Sequence, residues 1–112
     1  MRLRLLQVPD CPGAELLVRR LAEVLAPAQP LVDRLVVADA GQAAALGMTG
    51  SPTLLVDGVD PFAVPDTPAG LSCRLYRDET GAVRNAPSTG QLRAALAASP
   101  PKSPGVGAGS SG

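Results

Sequence analysis

Two hydrophobic rhythms alternate along this chain, and their order limits the folds open to it. Leu3, Leu5, Leu6 and Val8 form a short apolar run with Arg2 and Arg4 near its start, the pattern of a strand. Residues 12 to 25 then change period. Leu17, Leu21, Val24 and Leu25 fall on one helical stripe with Ala14 and Val18 beside it, while Glu15, Arg19 and Glu23 repeat every four residues on the other side. Pro12 suits the first helical position, so Cys11 falls at or near the N-cap. The stretch Ala-Pro-Ala-Gln-Pro, residues 26 to 30, stops this helix.

Residues 31 to 39, rich in β-branched side chains, predict a second strand. Asp39 and Gln42 have the spacing of a capping box, and Gly47 suits the end of the short helix that follows. Thr53 to Val56 predict a third strand closed by an Asp57-Gly58 turn. Three prolines between residues 59 and 70 predict an irregular loop, and residues 71 to 77 a fourth strand. Ser88 and Gln91 form a second capping box ahead of a last helix with Leu92, Ala95 and Leu96 inward.

The order β-α-β-α-β-β-α predicts an α/β fold with helices on both faces of a mixed four-stranded sheet. The third and fourth strands have no helix between them and are expected to pair antiparallel. This domain takes up residues 1 to 98. From Ser99 to Gly112 the chain is Ser, Pro, Gly, Ala, one Val and one Lys, and is expected to be a disordered tail.

Composition removes several function classes. Phe62 and Tyr76 are the only aromatic residues, and ten basic residues cancel ten acidic ones. Such a chain lacks the basic patch and stacking surfaces of a nucleic-acid binder. No run approaches the length of a membrane span, and the first ten residues read as a strand rather than an export signal, so a cytoplasmic protein is expected. Histidine is absent, which removes Cys-His dyads, Ser-His triads and His-ligated metal sites together. The glycines lack phosphate-loop spacing, and Asp57, Asp60 and Asp66 lie in a loop broken by Pro61, Pro65 and Pro68, without the terminal Glu of a calcium loop. Arg74 and Arg77 are expected to guard a sheet edge.

Two stretches together carry a resemblance. Leu-Gly-Met-Thr-Gly-Ser-Pro-Thr-Leu-Leu-Val-Asp-Gly, residues 46 to 58, is similar to the segment around the cis-proline of the thioredoxin superfamily. Asp-Cys-Pro-Gly-Ala, residues 10 to 14, resembles that superfamily's Cys-x-x-Cys motif with only the first cysteine kept. The likeness spans roughly residues 2 to 98 and implies a minimal thioredoxin-like fold. The detail from Ser51 to Ser88 also resembles small thioredoxin-like proteins, some of them labelled alkylmercury-lyase-like.

The resemblance gives each matched residue a role. Cys11 would be the nucleophile, favoured as thiolate by the helix N-terminus. The Ser51-Pro52 bond would be cis and lie beside it, with Ser51, Pro52 and Thr53 shaping the substrate surface and their backbone groups free to pair. Asp10 opposes thiolate formation by its charge, or exchanges a proton with the site. No cofactor is implied; the partner would be a protein or low-molecular-weight thiol or disulfide.

Ala14 stands where the resolving cysteine belongs. Three accounts remain open. Cys11 works as a monothiol released by an outside thiol; or Cys73 is its partner; or Cys11 is a relic on a fold used for binding. Strand alternation puts Cys73 and Leu75 on one face, Arg74 and Tyr76 on the other, and the expectation is that Cys73 is a buried core residue, too far from Cys11 to bridge. Cys11, Asp10 and Cys73 are also the only set that could hold mercury, the thiophilic ion suggested by the lyase-like resemblance.

Overall fold

The computed structural model describes residues 1–29 and 31–98; the expected tail, 99–112, lies outside the described residues. A three-stranded mixed sheet forms the centre. Strand β1 (Leu3–Gln7) lies in the middle, parallel to β2 (Val32–Val36) on one side and antiparallel to β4 (Thr53–Val56) on the other. Helices α1 (Pro12–Leu25) and α3 (Thr89–Ala98) cover one face, and α2 (Ala40–Leu46) covers the other.

The pleat of β1 explains this division. Leu3 and Leu5 point to one face and meet Leu54 and Val56 of β4, Ala14, Leu17 and Leu21 of α1, and Leu92 and Leu96 of α3. Leu6 points to the other face and packs with Val37, Ala43 and Met48. The core is built mainly from Leu, Val and Ala, as the scarcity of aromatics requires.

The helix ends follow local chemistry. Cys11 is the N-cap of α1 and Pro12 its first residue, as the spacing predicts. Asp39 accepts a hydrogen bond from the Gln42 amide at 2.7 Å, and Gly47, with φ of 78°, ends α2 in the left-handed conformation. Ser88 and Gln91 form the full reciprocal capping box, with both bonds at 3.0 Å.

The second half of the sheet departs from expectation. The predicted fourth strand splits into β5 (Gly70–Cys73) and β6 (Tyr76–Arg77), and neither pairs with β4. β5 instead runs parallel to an additional short strand, β3 (Thr49–Ser51), with a register shift between its two paired positions. β6 pairs antiparallel with β7 (Val83–Arg84). The central sheet therefore has three strands rather than four. Gly50 is one physical reason. Its φ is 130°, and a Cβ there would come within 2.8 Å of Arg74 Cβ, so only glycine lets the end of β5 lie across β3.

The inward face of residues 73–76 is also the reverse of the expected one. Cys73 is exposed, not buried, and Leu75 is 66% exposed, while Arg74 and Tyr76 turn in. Alternation holds, but polar partners decide its phase. Arg74 is thus no edge guard. None of the helices among the described residues is long and apolar enough to cross a membrane.

Candidate functional site

The first turn of α1, the Ser51–Pro52 bond and Tyr76 converge at one end of the α1/α3 core. The Cys11 carbonyl accepts from the Ala14 and Glu15 amides at 3.2 and 3.3 Å, opening the helix. The Cys11 side chain makes no capping bond and is only 6% exposed, within the same apolar cluster as Ala14 and Leu17. Ala14 is fully buried, so the place of the absent second thiol is filled by core packing. Asp10 precedes the cap at φ of 55°, a left-handed conformation that aspartate tolerates, and is exposed.

Gly13 brings this turn close to its neighbours. A Cβ there would run into the Asn85 carbonyl oxygen and come within 3.1 Å of Pro52 Cδ. The Ser51–Pro52 peptide is cis, as the resemblance implied; Ala26–Pro27 is cis as well. The side from Ala86 to Pro87 is tied to α1 by Arg20, which donates to the Pro87 carbonyl at 2.8 Å.

Ser51, Pro52 and Thr53 are all buried, and their polar groups are already engaged. Ser51 Oγ accepts from the Val8 amide at 3.0 Å, and the Ser51 carbonyl accepts from the Arg74 amide at 2.9 Å. The Pro52 carbonyl accepts from the Tyr76 hydroxyl at 2.5 Å. Thr53 Oγ1 donates to the Gly50 carbonyl at 2.6 Å. The expectation of free backbone groups beside the proline does not hold here, because the chain's own residues 74 and 76 supply the donors.

Arg74 is the residue whose place the sequence hid. Its guanidinium pairs with Asp60 at 2.7 Å, and their side chains are 9% and 11% exposed. It also donates to the Phe62 carbonyl at 2.6 Å and to the hydroxyls of Thr49 and Thr53 at 3.2 and 3.4 Å. Its Cζ sits 4.8 Å from the centre of the Tyr76 ring, over the face, where a cation is attracted. Tyr76 meets Phe62 edge to face at 5.7 Å. Burial raises the Tyr76 phenol well above its ordinary pKa; nearby Arg74 opposes this, while Asp60 and Cys11 add to it.

One signal in the sequence points here. A chain with two aromatic residues places both at this spot. Cys11 and Cys73 are both free thiols, one buried and one exposed. Among the described residues no three of His, Cys, Asp and Glu are grouped to hold a metal ion, so Asp10, Cys11 and Cys73 do not form such a set. No family model, curated protein or solved structure matches this chain.

Proposed function

We propose that this chain is a thioredoxin-like domain that exchanges thiols and disulfides through Cys11. The observation that carries the reading is the contact between the first turn of α1, capped by Cys11, and Pro52, with Tyr76 holding the proline's carbonyl. A helix N-terminus favours the thiolate, the species that attacks disulfides. The Cys11 thiolate attacks a substrate disulfide, forms a mixed disulfide and releases one substrate thiolate. With Ala14 in the resolving position, an external low-molecular-weight thiol then attacks the mixed disulfide and returns Cys11 to the thiolate. No cofactor enters this cycle.

The test is trapping of mixed disulfides at residue 11, read by mass, in the full chain and in Cys11→Ser. The reading expects a mixed disulfide at Cys11 and its loss in the variant. Its absence at Cys11 sinks the reading. A second reading, a non-catalytic binding domain of the same fold, is favoured by two observations: Cys11 is buried and the Ser51 carbonyl is occupied. It expects partner binding unchanged in Cys11→Ser.

A further inference from the structure

The segment from Val59 to Arg74 leaves the end of β4, crosses three prolines and returns along β3. Its middle, residues 63 to 69, is exposed throughout, and only Phe62 and Leu71 pack against the two apolar clusters. It meets β3 along a short parallel ladder. The Gly70 amide donates to the Met48 carbonyl at 3.0 Å and the Arg74 amide to the Ser51 carbonyl at 2.9 Å, across a shift in register. What closes the segment is one side chain at its end reaching back to its start: Arg74 holds Asp60 and the Phe62 carbonyl. The ends of the loop are thus fastened together, as in a compact surface loop closed on itself. A segment with few apolar contacts and an exposed backbone sits at the low end of local stability.

We propose that residues 59–74 are a latched cover over the Ser51–Pro52 edge and the apolar cluster that holds Cys11, with the Arg74–Asp60 pair as the latch. When the pair parts, Phe62 leaves the cluster that contains the thiol and the Ser51 carbonyl loses its donor. An extended disulfide-bearing chain can then take the place of β5 beside Ser51. The cover is an internal competitor for the docking edge. This rests on the thiol–disulfide reading of Cys11. A buried ion pair suits a latch, because a half-broken one leaves a charge without a partner and intermediate positions are disfavoured.

The experiment uses the full chain carrying Cys73→Ser, so that Cys11 is the sole thiol. Its alkylation by iodoacetamide is followed by mass, with and without Asp60→Asn. The cover predicts slow alkylation that rises by more than about tenfold when the latch is cut, with far-UV circular dichroism retained. An unchanged rate overturns it. If Asp60→Asn does not fold, hydrogen exchange on the Cys73→Ser chain decides. Gly70 and Arg74 amides that open while β1 stays protected support the cover; amides that exchange only together with β1 overturn it. The two readings fail separately. If cutting the latch exposes Cys11 but it attacks a small aromatic disulfide no faster than free cysteine, the cover stands and the oxidoreductase falls.

Discussion

The two ends of β4 meet different kinds of interior. Around Leu54 and Val56 the protein is held by close packing of aliphatic side chains from β1, α1 and α3. Around Pro52 and Thr53 it is held by hydrogen bonds and one ion pair gathered on Arg74. Aliphatic packing is non-directional and accepts gradual repacking. A buried polar cluster is all or nothing, since each partner left alone bears its full desolvation penalty. The first region suits a permanent core, the second a contact that forms or breaks as a unit.

Substitutions can sharpen or break this contrast. The largest effect is expected from Leu17→Ala, in the fully buried stripe of α1. It should cost about 3–5 kcal/mol in urea unfolding and lower protection across the whole domain. Asp60→Asn should cost about 2–3 kcal/mol, the lower side for a buried pair losing one partner, because a little of each side chain still meets water. Here the lost protection should be confined to β5 and the preceding loop. An equal loss in β1 would erase the distinction between the two regions.

Ser88→Ala removes the acceptor for the Gln91 amide and should cost about 1 kcal/mol by the same unfolding assay. Asp33→Asn breaks a partly exposed pair with Arg4 and should change stability by no more than about 0.5 kcal/mol, fading with added salt. The last effect is in pH. Hydrogen bonds from the Thr80 side chain, then Arg84, hold Asp78 down to about 2. Its folded value lies below its unfolded one, so its contribution is present above about pH 4 and is lost as pH falls through about 2. Asp78→Asn should flatten acid unfolding curves in that window.

The same contrast explains what could be read in advance. The bounds of α1, the N-cap at Cys11 and both capping boxes depend on residues within four positions of one another, and sequence spacing carries them. The inward stripe of Leu17 and Leu21 follows from periodicity alone. The phase of residues 73–76 does not. Hydrophobic patterning favours Cys73 and Leu75 inside, but Arg74 finds partners 12 to 25 positions away, at Phe62, Asp60, Thr53 and Thr49. Once those are in place, the guanidinium and the phenol are satisfied and their apolar parts can be buried. Pairing of β5 with β3 was hidden for a related reason. It depends on the missing Cβ of Gly50, and glycine in a sequence reads first as a turn. Pro52 and Cys11 were found together only through family likeness, since nothing local links residues 41 positions apart.

Tyr76 is the sole tyrosine, and there is no tryptophan. Near-ultraviolet absorption and emission from this protein therefore come almost wholly from one ring, seated under a guanidinium and against Phe62. That optical signal is a local gauge. A spectroscopist who followed it alone would record the unfastening of a loop as if the entire molecule had melted, while amide circular dichroism, which averages over every helix, would report a later event.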